Sequence, residues 1–70
     1  MHRVPVTSSN IRSIGYDSAV SVLEVEFNDF SVYVYSGVPL SLHASLMQAN
    51  SKGAFLAKYI KGRFVYRRVE

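Results

Sequence analysis

Glu24 and Glu26 are a pair of carboxylates one residue apart on an alternating stretch, so both project from one side of a strand, roughly 6–7 Å apart by the strand rise. Such a pair can in principle do acid–base work, but a glycosidase needs its carboxylates across a substrate cleft, and one flat strand offers none. A solvated strand face is the expectation. The histidines are His2 and His43, and neither has another ligand type at metal spacing, so neither zinc nor iron is expected. His43 falls on a helix, at its surface or boundary. Ser8, Ser9 and Ser51 have no His–Asp arrangement to activate them, and the GxxxxGK[ST] phosphate loop is missing. Neither an enzyme nor a cofactor is expected.

Binding chemistry is better represented. In Lys61-Gly62-Arg63-Phe64-Val65-Tyr66, aromatics alternate with the cations Arg63 and Arg67, and rings interleaved with cations can hold single-stranded nucleic acid by stacking and phosphate attraction. The run is superficially like the RRM strand signature but lacks its second glycine and its residue count. The competing reading puts Phe64 and Tyr66 in the core and leaves the arginines solvated. Lys58 and Lys61, three apart on the second helix, are therefore neighbours on its surface, and with Arg63 and Arg67 or Arg68 they form a candidate phosphate-contacting patch. Ser51-Lys52-Gly53 opens a helix, where free amides and the Ser51 hydroxyl favour an anion. Lys52, Lys58, Lys61, Arg63, Arg67 and Arg68 are six of the eight basic residues, whereas Asp17, Glu24, Glu26 and Asp29 are four of the five acidic ones. The chain is therefore acidic before residue 30 and basic after 51. That polarity suits a face that displaces counterions from nucleic acid, and suits self-association as well.

Seventy residues make one domain, at a size where folding hides only about 60% of the unfolded surface. With 49% apolar residues and no cysteine, a compact core must suffice, helped by self-association if anything. The start Met-His-Arg-Val-Pro lacks a secretory apolar region, and no run approaches the roughly 20 apolar residues of a membrane span. A cytoplasmic protein with no membrane partner is expected.

Residues 1–7 read as a flexible segment ahead of a single domain over 8–70. Ile11 to Tyr16 is a short strand, ended by a turn at Asp17-Ser18. Leu23, Val25 and Phe27 alternate with Glu24 and Glu26 in a half-buried strand, and Asn28-Asp29 turns the chain into a partner strand from Phe30 to Tyr35. The loop length decides which side of that partner joins the core. In one register Phe30, Val32 and Val34 are inside. With a bulged or three-residue loop, Tyr33 and Tyr35 pack inward and Val32 and Val34 are displayed. Gly37 and Pro39 stop the strand, with Pro39 suited to the first helical position. Val38, Leu42, Leu46 and Ala49 follow at helical spacing. Ser51 caps a second helix with Phe55, Leu56, Tyr59 and Ile60 as its apolar stripe and Gly62 as its stop. Arg63 to Val69 closes the sheet. The fold class is α+β: a small antiparallel sheet of three to four strands with two helices packed on one face, in the order βββααβ.

Ser8-Ser9, Ile14-Gly15-Tyr16-Asp17, Leu23, Phe27, the Tyr33/Tyr35 pair with Gly37-Val38-Pro39, Ala49 with Ser51-Lys52-Gly53, Ile60 with Gly62, and Tyr66 occur in an order that resembles the KTSC domain. That family is named from the C-terminus of some lysyl-tRNA synthetases and also occurs as free-standing bacterial or phage proteins of about this length. The resemblance covers about residues 8–69. It implies that Tyr33 and Tyr35 are at least partly buried, and that Tyr33, Tyr35, Ser51, Lys52 and Gly53 mark the family's site. It brings no catalytic residue. Relatives usually carry glycine at or next to the position of Phe30. The expected function is a small non-enzymatic module that binds RNA through Lys52, Lys58, Lys61, Arg63, Arg67 and Arg68, with Tyr33, Tyr35 or Tyr66 stacking on bases. The alternatives are a module that binds a protein or a second copy of itself, and capture of a small anionic nucleotide at Ser51-Lys52-Gly53.

Overall fold

Alternation of apolar and acidic residues at 22–27 produces the strand from which the sheet is assembled outward. The computed structural model describes residues 2–70. In chain order the elements are β1 (Arg3–Pro5), β2 (Ile11–Asp17), β3 (Val22–Phe27), β4 (Val32–Ser36), α1 (Leu40–Gln48), α2 (Lys52–Tyr59) and β5 (Val65–Arg68). The strands form one antiparallel sheet in the order β1-β2-β3-β4-β5. The α+β class with two helices stands, but the sheet has five strands rather than three to four, and the order is ββββααβ rather than βββααβ.

The additional strand comes from the segment expected to be flexible. Residues 3–5 of it pair with β2, while Met1 lies outside the described residues. Three residues ending in proline carry no readable period, yet an edge strand tolerates a residue without an N–H. In register, Arg3 lies opposite Gly15, and Gly15 opposite Glu24. Gly15 has no side chain, so Arg3 reaches across it and its Nη1 sits 2.8 Å from Glu24 Oε2. On the same face the Ser13 hydroxyl donates to Glu26 at 2.8 Å. Both carboxylates thus hold partners, where a solvated face was expected.

The Asn28–Phe30 loop settles the position of the tyrosines. Phe30 N–H donates to Phe27 O and Phe27 N–H to Ser31 O, both at 2.9 Å, closing three residues with Phe30 left-handed at φ 69°. This is the three-residue hairpin in which the last loop position is usually glycine. Its parity sets Leu23 opposite Tyr35 and Val25 opposite Tyr33, and directly opposed residues share a face. Tyr33 and Tyr35 therefore point to the core side, as the family resemblance implied. Val34 is half-buried on the other face. Val32 is covered there rather than displayed, since it lies against Glu26 and bonds Val69 and Glu70 through its own carbonyl and amide.

Both helices lie on the tyrosine side. Ile11, Ile14, Leu23, Val25 and Tyr35 from the sheet meet Val38, Leu46, Leu56 and Ile60 in one cluster. Pro39 is the N-cap of α1 rather than its first residue, because its ψ of 151° is still extended. Ser51 caps α2 by accepting from the Ala54 amide at 3.3 Å, and the chain leaves that helix through Gly62 at φ 77°. Of the expected α2 stripe, Leu56 and Ile60 are buried, Phe55 is half-buried and Tyr59 is exposed.

His43 of α1 stacks on Tyr16 of β2, ring centroids 4.4 Å apart and planes 8° from parallel, while the Tyr16 hydroxyl donates to Val38 O at 2.6 Å. Burial lowers the His43 pKa from its ordinary 6.5. The unfolded chain therefore takes up this proton more readily, so the contribution to stability is fully present above pH 6.5 and is lost as pH falls from there through the lower value of the folded chain. The melting temperature should drop between about pH 7.5 and about pH 5.5, and His43→Phe, which keeps the stack, should flatten that drop in a pH series of thermal melts.

Candidate ligand-binding basin

The two short helices cover β2, β3 and part of β4, and leave the far end of the same sheet face open. An indentation of about 690 Å³ lies there, lined by Ser9, Asn10, Phe27, Asn28, Asp29, Ser31, Tyr33, Tyr35, Lys61, Gly62 and Tyr66. The β4–β5 register builds its floor, setting Tyr66 opposite Tyr35 and Arg68 opposite Tyr33. Tyr66 lies 5.9 Å from Tyr33 and 5.8 Å from Tyr35 by ring centroid. Phe27 stands edge-on to Tyr33 at 5.6 Å. Three segments make the rim: Ser9-Asn10 before β2, the hairpin loop, and Lys61-Gly62 after α2. Asn28 ties the first two together by donating from Nδ2 to Ser9 O at 2.9 Å. The Lys61 ammonium is 5.2 Å from the centre of the Phe27 ring.

Two ionisable groups of the basin are shifted from their ordinary values. Burial, and the neighbouring Tyr33 and Tyr66, push the Tyr35 hydroxyl up from its ordinary value, so it stays neutral at physiological pH and can donate or accept a hydrogen bond. Asp29 accepts from the Ser31 hydroxyl at 2.6 Å and the Ser31 amide at 3.0 Å. These bonds, with the nearby Arg68 charge, lower its pKa. A carboxylate held that acidic is a weak base for the serine it touches, so Asp29 and Ser31 make a poor nucleophile pair.

Of the residues expected to bind nucleic acid, the basin gathers Tyr33, Tyr35, Tyr66 and Lys61, with Arg68 beside it in register with Tyr33. Arg67 is opposite Val34, on the other face. Lys58 does not join Lys61 on one helix surface, because α2 ends at Tyr59 and Lys61 follows the Ile60 cap. The Lys58 ammonium instead lies 5.3 Å from the Tyr59 ring centre, and its carbonyl accepts from Arg63 Nε at 3.1 Å. Phe64 packs against the core while Tyr66 is 57% exposed, so the two alternatives for this strand divide between its two rings. Ser51-Lys52-Gly53 stands apart from the basin lining. Ser51 caps its helix, Lys52 Nζ donates to Ala49 O at 3.2 Å, and a side chain on Gly53 would collide with the Asn10 amide.

Phe27, Asn10, Asn28, Asp29 and Ser31 are basin residues that reasoning from sequence did not assign to a site. Asn28-Asp29 carried a turn signal alone, and Phe27 a core signal. The available hint was Asp29-x-Ser31, a spacing at which an aspartate bonds the backbone two residues on.

A family model described as the KTSC domain matches residues 7–64. An uncharacterized protein of Stutzerimonas stutzeri is 39% identical over 61 residues, covering 87% of this chain and 86% of that protein. A lysine–tRNA ligase of Trichormus variabilis is 43% identical over 58 residues, which is 83% of this chain and 10% of the ligase. The crystal structure of the KTSC domain protein YPO2434 from Yersinia pestis is similar at a TM-score of 0.95 and 45% identity, over 99% of this chain and 97% of that one.

Substitutions at the α2 start should act on stability. Ser51→Ala removes the cap and should cost about 1 kcal/mol in urea unfolding. Gly53→Ala meets only the movable end of the exposed Asn10 side chain, so it should change stability by less than about 1 kcal/mol, and an amide spectrum should show Asn10, on the basin rim, displaced.

Proposed function

This chain belongs to the KTSC domain family, and from that premise we propose that it is a small non-enzymatic module that binds single-stranded RNA in the aromatic basin. The observation that carries the reading is the convergence of Phe27, Tyr33, Tyr35, Tyr66 and Lys61 on one open indentation. Rings accept bases of any sequence, and each stacked base contributes about 1–3 kcal/mol. Tyr66 is exposed enough to be reached, while Tyr33 and Tyr35 form the floor beneath it. Arg68, in register with Tyr33 at the side of the basin, is the cation placed to meet a phosphate next to a stacked base, and Lys61 lines the basin itself. Lys52, Lys58, Arg63 and Arg67 contribute to the general field of a chain with net charge +3. Lysine–tRNA ligases, by name proteins that act on a tRNA, carry a related segment as about a tenth of their length, which supports RNA as the partner class. The reading places the protein in the cytoplasm, and no helix among the described residues is long and apolar enough to cross a membrane.

Titration of labelled protein with an unstructured RNA should shift the amides of Phe27, Tyr33, Lys61 and Tyr66. One phosphate contact should give a slope of log affinity against log salt of about −0.7. Tyr66→Ala should fold and lose about 5- to 150-fold in affinity, the equivalent of one stacked base. Lys61→Ala should weaken binding and Lys58→Ala should not. Wild-type affinity in Tyr66→Ala, or an unchanged spectrum, would remove the proposal.

A second reading rests on β5. This strand is the outer member of the sheet, and all four of its residues are exposed, Val65 at 79%. An unpaired strand edge is a template for a strand of another chain. If β5 pairs with a second copy, sedimentation should show mass rising with concentration, and Val65→Lys should hold the protein monomeric.

A further inference from the structure

Asp29 is out of place in a surface built only for phosphate. Asp29 is among the residues that line the basin, together with Phe27, Tyr33 and the cation Lys61. The Ser31 amide and hydroxyl both donate to Oδ1, and among the described residues no hydrogen bond falls on Oδ2. No ion pair among the described residues joins Asp29 to Lys61, although both line one indentation. An ionised carboxylate only accepts, and an ammonium only donates. Whatever fills the basin therefore meets an acceptor held in place by Ser31 and a donor on Lys61, in a lining that also carries aromatic rings.

We infer that the basin selects guanine, with Asp29 accepting from the N1–H and N2–H2 edge and Lys61 donating to the O6 and N7 edge. The inference rests on the base-binding reading above. Guanine sets two N–H donors side by side on its pairing edge, so a carboxylate facing that edge meets donors alone. Uracil places its one N–H between two carbonyl oxygens, which the carboxylate repels. Adenine and cytosine each offer one amino group next to a bare ring nitrogen, again an acceptor. On the opposite side O6 and N7 are both acceptors, the pair that lysine and arginine meet in guanine recognition. The lowered pKa of Asp29 keeps the acceptor ionised through the physiological range.

The test uses the 70-residue chain and heptauridylates carrying one central guanosine, inosine, adenosine, cytidine or uridine, read by fluorescence anisotropy at one salt concentration, with 5′-GMP titrated separately into labelled protein and read from its amide spectrum. The guanosine oligomer should bind about tenfold or more tighter than those with adenosine, cytidine or uridine. Inosine, which lacks the 2-amino group, should fall between. Asp29→Asn keeps an oxygen to accept from Ser31, so it should fold, and it should bring the guanosine-to-adenosine affinity ratio close to one. Equal binding of all the oligomers, with Tyr66→Ala still weakening them, overturns guanine selection and leaves RNA binding standing. Binding of 5′-GMP with no oligomer bound supports guanine recognition from a free nucleotide and overturns the RNA reading. Binding of neither overturns both.

Discussion

The parity of one hairpin loop decides what this protein presents to its surroundings. Asn28, Asp29 and Phe30 make three residues between β3 and β4, and that count puts Tyr33 and Tyr35 on the side of Leu23 and Val25. A loop shorter by one residue would turn every side chain of β4 over, placing two valines on the helix side and two tyrosines beside Glu24. The loop is held in spite of Phe30, whose left-handed backbone costs about 1–2 kcal/mol in a non-glycine residue. Local bonds oppose that cost. Ser31 donates twice to Asp29, and the Arg12 guanidinium sits 4.8 Å from the Phe30 ring centre, a contact worth about 0.5–1 kcal/mol at an exposed site.

With the tyrosines on the helix side, the shortage of helix becomes functional. Nine residues of α1 and eight of α2 bury Ile14, Leu23 and Val25 completely but do not extend over the β4–β5 end. Tyr35 is the boundary: its ring closes the core at 2% exposure and its hydroxyl end lines the basin. Tyrosine suits such a position, since one side chain supplies an apolar body and a polar tip. Among the described residues no second layer of helix or sheet covers the opposite face. Gly15 leaves room for Arg3 to reach Glu24 across an intervening strand, so a charged pair takes the place of an apolar cover.

Local rules made much of the fold legible. The alternation of residues 22–27, the Ser51 cap and the Gly62 exit each depend on neighbours in the chain. β1 was not legible because its three residues are ordered by β2 and Glu24, which are distant in sequence. The candidate site divides in the same way. The tyrosine pair marked its floor, but the cluster of bases in the second half of the sequence is not a cluster in space. Strand alternation sends Arg67 and Arg68 to opposite faces, and the end of α2 at Tyr59 separates Lys58 from Lys61. Asp29 and Asn28 carry turn signals so strong that they hide any second role.

The basin is assembled from four stretches of chain: 9–10, the β3–β4 hairpin, 61–62 and β5. Each has a separate structural reason for its place. The Asn28 bond to Ser9 fixes the first against the second, Gly62 directs the third, and the ladder to β4 holds the fourth. β5 is the least enclosed of these, with every residue exposed and one side of the strand unpaired, so it belongs to the part of the sheet that opens at the lowest free-energy cost. A ligand seated on Tyr66 and touching Lys61 and the hairpin would tie that strand to the better-buried elements on both sides. Its binding free energy would then appear partly as protection of β5, because whatever binds the closed form alone shifts the local opening equilibrium by mass action. The site and the weakest edge of the fold are in this sense one feature.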